Sequence, residues 1–105
     1  MIRFFVWQFI MVSILLAAGP LKADSNIDAG RDKASTCNAC HGLQGEGMGE
    51  NPPIAGQDRQ VLESGMLAYK TGERTEPMMA MFMQALSDED IANLAAYFAS
   101  LPSKE

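Results

Sequence analysis

Residues 37–41 read Cys37-Asn38-Ala39-Cys40-His41, and they hold both cysteines and the one histidine of the 105-residue chain. In an exported protein, Cys-x-x-Cys-His is the attachment signature of c-type haem. The order suits the chemistry. Two thiols three positions apart each add to one of the two vinyl groups on a haem edge, and the adjoining histidine brings its imidazole to the iron. The cofactor then cannot leave, and its apolar bulk fills a core that a small domain lacks. One haem c is therefore expected, bound by Cys37 and Cys40, with His41 on the metal.

Three other readings of the same residues are weaker. A thioredoxin-type redox pair sits at the start of a helix after a strand, and no strand–helix–strand pattern surrounds the motif. A disulfide would close a tiny loop and leave the domain little else to hold it. A closed zinc site needs four ligands, and two sulfurs and one imidazole do not supply them.

Working outward from the motif, the N-terminus supports export. Residues 1–23 contain Arg3 and Lys22 but no acidic residue, and 4–18 are nearly all apolar, broken by Gln8 and Ser13. A basic start, an apolar stretch and a small-residue exit read as a secretory signal over 1–23, cleaved after Ala23 or alternatively after Ala18. The stretch is shorter than the roughly 20 residues of a spanning helix, so an uncleaved anchor is the poorer reading. Residues 24–105 then form one domain located in the periplasm. Its 6 basic and 13 acidic side chains give −7, against −5 for the whole chain. That charge argues against nucleic acid as a partner. With 48% apolar and 20% charged residues the chain is not a disordered polyampholyte.

The rest reads as helices joined by loops. A first helix is expected over 27–36, with Asn26 or Ser25 as N-cap. Gly30 inside it costs about 1 kcal/mol against alanine and suggests close approach of another backbone. Residues 42–56 carry five glycines and Pro52-Pro53 and read as loop. Asp58 caps a helix over 59–71 whose inward face is Leu62, Met66 and Tyr69, and Gly72 stops it. A second loop, 73–86, holds Met78, Met79, Met81 and Met83. Ser87 opens the last helix with Asp90 as capping-box partner, its stripe is Ile91, Leu94, Ala95 and Phe98, and Pro102 ends it. No segment alternates as a strand does, so the fold is all-α, with three helical stretches and two irregular ones.

Over 26–105 these pieces resemble the class I c-type cytochromes, in particular short bacterial domains found singly, as halves of di-haem cytochromes, and as the haem subunit of flavocytochrome c sulfide dehydrogenase. The resemblance rests on Ala29-Gly30, the Cys-x-x-Cys-His-Gly run at 37–42, Pro52-Pro53-Ile54-Ala55-Gly56-Gln57, Tyr69-Lys70-Thr71-Gly72-Glu73-Arg74, and the stretch from Leu86-Ser87-Asp88 to Ala96-Tyr97-Phe98. It implies a cytochrome c fold of three or more short helices around one covalent haem. The first helix crosses the last with Gly30 against Tyr97 and Leu94. A proline carbonyl, at Pro52 or its neighbour Pro53, accepts from the histidine. The sixth ligand is a methionine seven residues before Leu86, which is Met79, with Met78 next in register and Met81 and Met83 behind.

The function so implied is periplasmic electron transfer by a His41/Met79-ligated haem c cycling between ferrous and ferric iron. The chain itself is expected not to be an enzyme, since its only histidine is committed to iron. The alternative is the haem subunit of a flavocytochrome c complex. A haem sensor or peroxidase would need an open sixth position. Partners are expected to be redox proteins, such as a flavoprotein or a terminal oxidase or reductase, with membrane contact only through an uncleaved signal.

Overall fold

The structure is a computed structural model that describes residues 26–103; the expected signal segment and its cleavage site, Ser25 and Lys104 lie outside the described residues. Asn26 is extended and its side chain accepts the Ala29 N–H at 3.1 Å, which starts α1, Ile27–Lys33. Ala34 then breaks the expected single helix in two. Its N–H is shared between the carbonyls of Gly30 and Arg31, at 2.9 and 3.2 Å, and a second helix, α2, Ser35–His41, follows it directly. Helix thus runs through the cysteine motif itself and stops at Gly42, whose φ of 94° suits glycine.

Asp58 accepts from Gln60 N and Val61 N at 2.8 and 3.1 Å and opens α3, Arg59–Thr71, which ends at a left-handed Gly72. The expected bounds of this helix are matched. The next segment departs from expectation. Residues 77–84, read as loop, form a helix α4, Pro77–Gln84. Pro77 occupies its first turn, where no N–H is needed, and the Glu76 carboxylate accepts the Met79 N–H at 2.7 Å. The last helix, α5, Asp88–Ser100, carries the expected capping box: Ser87 Oγ accepts from Asp90 N at 3.0 Å and Asp90 Oδ2 from Ser87 N at 3.1 Å. The described residues therefore contain five helices and no strand.

The central contact is the crossing of α1 on α5. A methyl group at Gly30 would lie 2.1 Å from the Asn93 carbonyl oxygen and 2.8 Å from Tyr97 Cβ, so only glycine lets the two backbones meet. Tyr97 is the expected neighbour, while the nearest backbone belongs to Asn93 rather than Leu94. Behind the crossing Ala34, Leu94, Tyr97 and Phe98 form the buried core, and Cys37, Ile54, Leu62, Met66, Leu86 and Leu101 pack on it. Each large apolar side chain so buried contributes about 1.5–3 kcal/mol. α3 lies across α5 and α4. The 42–56 loop is pinned to the core by Gly56 N–H donating to the Phe98 carbonyl at 2.8 Å.

Two outcomes follow. Gly30→Ala, which in an open helix would stabilise, is expected to lower unfolding free energy by about 1–3 kcal/mol or more, because overpacking at the crossing outweighs propensity. Denaturant titration checks the sign. Asp90 is held below the ordinary carboxylate range, first by the Ser87 backbone N–H, despite an opposing burial cost, with help from the Ser87 hydroxyl and Lys33. A lowered folded pKa gives stability that is present above the unfolded value, near 4, and lost as pH falls through the folded one. Asp90→Asn should therefore flatten the acid limb of a stability–pH curve below about pH 4, at the cost of a weaker cap.

Candidate haem-attachment site

α2 carries the three attachment residues on little more than one turn. Cys37 is half-buried against the core, Cys40 one turn later is exposed, and His41 ends the helix with 8% of its surface exposed. Burial pushes the Cys37 thiol up, with a smaller push from Cys40 and an opposing backbone hydrogen bond. Thioredoxin-type exchange needs the opposite shift, toward an accessible thiolate. The environment of Cys37 thus disfavours a dithiol oxidoreductase.

His41 is fixed at both backbone and side chain. Its carbonyl accepts from Gly47 N at 2.6 Å, and Nδ1 lies 2.8 Å from the Pro52 carbonyl oxygen. A carbonyl only accepts, so Nδ1 carries the proton and Nε2 presents its lone pair. The loop is built to deliver this contact. Met48 and Asn51 pair through two backbone hydrogen bonds of 3.1 and 2.9 Å, and the Gly45 carbonyl accepts from both Ile54 N and Ala55 N. That hairpin turns the chain back so that Pro52 faces His41. Pro53 is engaged elsewhere, its carbonyl accepting from Gln57 Nε2 at 2.5 Å.

The residues fit a haem. The donors are two thiols and one oriented imidazole nitrogen on a single short helix, the set that thioether attachment and proximal ligation require. α3 buries none of its residues fully although Leu62 and Met66 lie against the core. Tyr69 on this helix, and Met79 and Phe82 on α4, are likewise only half-buried, apolar surface that suits a macrocycle. α4 is held on α3 by Gln84 Nε2, which donates to the Lys70 carbonyl at 2.6 Å, while Lys70 Nζ reaches Asp88 on α5 at 2.9 Å. Arg74 stacks on Tyr69 at 4.6 Å.

The four methionines separate by helix geometry. At 3.6 residues per turn Met79, Phe82 and Met83 fall on one side of α4, and Met78 and Met81 on the other. Met83 is 2% exposed, whereas Met78 and Met81 are 54% and 57% exposed. Met79 is half-buried. One residue escaped the sequence reading. Asn93 is buried at the helix crossing and its Oδ1 accepts the Asn26 N–H at 2.8 Å, tying the start of α1 to α5. The only signal was a polar residue flanked by apolar ones, between Ile91 and Leu94.

Comparison with known proteins agrees with this geometry. The family model for cytochrome c matches residues 27–102. Cytochrome c-554(548) of Halomonas halodenitrificans is 46% identical over 76 residues, which cover 69% of this chain and 92% of that protein. Cytochrome c4 of Pseudomonas aeruginosa is 41% identical over 95 residues, covering 87% of this chain and 47% of that one. Among solved structures, reduced recombinant cytochrome c4 from Pseudomonas stutzeri superposes with a TM-score of 0.72 at 30% identity, over 76% of this chain and 47% of that one. The chain spans about half the length of the cytochrome c4 relatives it matches. It belongs to the cytochrome c family. It is an electron-transfer protein that carries one covalent haem c through Cys37 and Cys40. No helix among the described residues is long and apolar enough to cross a membrane.

Removing both thiols should separate attachment from binding. Haem in the parent is expected to stay with the polypeptide in acidified acetone, and haem in a Cys37→Ala/Cys40→Ala variant to extract completely. Absorbance of the two phases checks this.

Proposed function

We propose that this chain is a periplasmic electron carrier in which His41 and Met79 would hold the haem iron and no residue carries out substrate chemistry. The observation that supports Met79 is its place on α4. It is the half-buried methionine on the inward side, with Met83 packed into the core and Met78 and Met81 turned outward. The resemblance to class I cytochromes, counted back from Leu86, favours the same residue.

The bound haem supplies one-electron chemistry at its iron. The chain's own residues set the conditions for it. The Pro52 carbonyl holds His41 in one tautomer and one orientation and strengthens its Nε2 as a donor. The Met79 thioether is soft and neutral and favours the ferrous state, which raises the potential relative to two nitrogen ligands. With His41 and Met79 both holding the iron, no place would be left on it for oxygen or peroxide, which suits transfer and not catalysis. Signal cleavage over 1–23 and a domain over 24–105 complete this reading.

Charge favours particular partners. Arg31, Lys33, Arg59 and Lys70 each lie within 4 Å of a carboxylate, on Asp28, Asp90, Glu63 and Asp88 respectively. Among the described residues no ring of uncompensated lysines is available to attract an acidic protein, so the partner surface is basic or mainly apolar. Met83, 2% exposed, is not part of that surface. A second reading is the haem subunit of a larger enzyme. The cytochrome subunit of sulfide dehydrogenase from Chlorobaculum tepidum is 28% identical over 88 residues and 80% covered. Co-purification with a flavin-containing polypeptide would support this second reading, and an isolated monomer the carrier.

Met79→Ala is expected to abolish the weak sulfur-to-iron absorption at the red end of the ferric spectrum and to let carbon monoxide bind the ferrous protein. Met83→Ala should keep that band while costing about 2–5 kcal/mol of stability through the cavity it leaves. If Met79→Ala keeps the band and Met78→Ala loses it, the ligand register is wrong. Electron transfer with a basic partner should slow as salt rises from 0.01 to 0.1 M, because the Debye length falls from about 30 to about 10 Å. A rate that is flat over that range leaves apolar contact as the basis of docking.

A further inference from the structure

We propose that Met78 and Met81 form an oxidant-reactive thioether pair, whose conversion to sulfoxides turns the outer face of α4 from apolar to polar without touching Met79 or Met83. The two side chains are 54% and 57% exposed and lie one helical turn apart, on the same face. The register that turns them outward is set by the Glu76 cap on Met79 N and by Pro77 in the first turn. The run Met78-Met79-Ala80-Met81-Phe82-Met83 thus contains two accessible and two shielded sulfurs within six residues. Met83 is 2% exposed and has no path for an attacking reagent. Met79 is shielded by its half-buried position and, on the proposed ligation, by a lone pair engaged at iron; this part alone rests on that reading.

The chemistry balances with a hypohalous acid as the oxidant. The sulfur–oxygen bond forms as the oxygen–halogen bond breaks, sulfur gives up two electrons, and halide and a proton leave. A sulfoxide is polar, chiral and reducible by methionine sulfoxide reductases. Two such groups replace flexible apolar contact surface by strong acceptors. The surface they change suits a cationic redox protein. The domain carries an excess of carboxylates, the described lysines are paired with carboxylates, and Glu73 and Glu76 flank the N-terminal end of α4 as exposed residues. Oxidation would keep the charge attraction and remove the apolar contact, lowering exchange while the iron site stays intact.

The test uses haem-loaded protein and limiting hypochlorous acid. Trypsin cleavage after Arg74 places Met78, Met79, Met81 and Met83 on one peptide, and the exposed Met48 falls on another. Tandem mass spectrometry is expected to find oxygen on Met78 and Met81 at least tenfold faster than on Met83, with the red-end band unchanged and the oxygen removed by methionine sulfoxide reductase. Oxygen on Met83 as fast as on Met78 or Met81 overturns the proposal. Fast oxidation of Met79 with loss of the band overturns its sparing. If Met79→Ala shows that Met79 is not the ligand, the order set by exposure still stands or falls on Met83. In parallel, the electron-exchange rate with a lysine-rich mitochondrial-type cytochrome c should drop several-fold after oxidation of the parent and stay unchanged in Met78→Leu/Met81→Leu. Equal rates before and after oxidation of the parent would overturn the effect on docking.

Discussion

The crossing of α1 on α5 at Gly30 is the constraint on which the rest depends. With the Asn93 carbonyl where a side chain would begin, the helices approach as closely as backbones can, and the contact fixes where α1 ends. Ala34, at the end of that approach, is fully buried among Leu94, Tyr97 and Phe98. α2 follows Ala34 directly, with Cys37 packed on that core and Cys40 exposed. The Asn26–Asn93 hydrogen bond closes the same contact from its polar side.

His41 shows how a loop without regular structure can be more restrictive than a helix. Glycines at 42, 45, 47 and 49 have positive φ, and the two-residue turn between Met48 and Asn51 reverses the chain. The backbone hydrogen bonds of this loop are largely made inside it, which leaves the Pro52 carbonyl available to His41. An imidazole held through Nδ1 has no freedom to exchange tautomers. With His41 on the iron, as proposed, a ligand so kept in place would spend little energy on rearrangement when the iron changes charge.

Legibility in the sequence followed local chemistry. Asp58, Gly72 and the Ser87/Asp90 box were readable because a cap acts within three or four residues. The cysteine motif was readable because spacing and chemistry coincide. Helix α4 was missed because its methionines mix two faces: positions 79 and 83 are one periodic set and 78 and 81 another, so hydrophobicity alone shows no period. The Glu76-Pro77 pair was the available signal of a helix start. The break at Ala34 and the role of Asn93 depend on packing between segments more than sixty residues apart in sequence, which no local pattern carries.

The acidic balance has a structural origin as well as an electrostatic consequence. Asp58, Glu76 and Asp90 cap three helices, where the N–H groups and the positive dipole end favour a carboxylate. Asp28, Glu63 and Asp88 pair with arginine or lysine at the surface, in exposed contacts worth at most about 1 kcal/mol each. Such pairs add little stability, but they cancel cations where they stand. What remains visible at longer range is the unpaired acid, and it gives the surface one sign. On the proposed reading, a partner approaching this domain would be sorted by charge before it meets any side chain, and by the few exposed apolar residues only after it arrives. Helix capping and partner selection draw on the same carboxylates, so a substitution that tunes one disturbs the other.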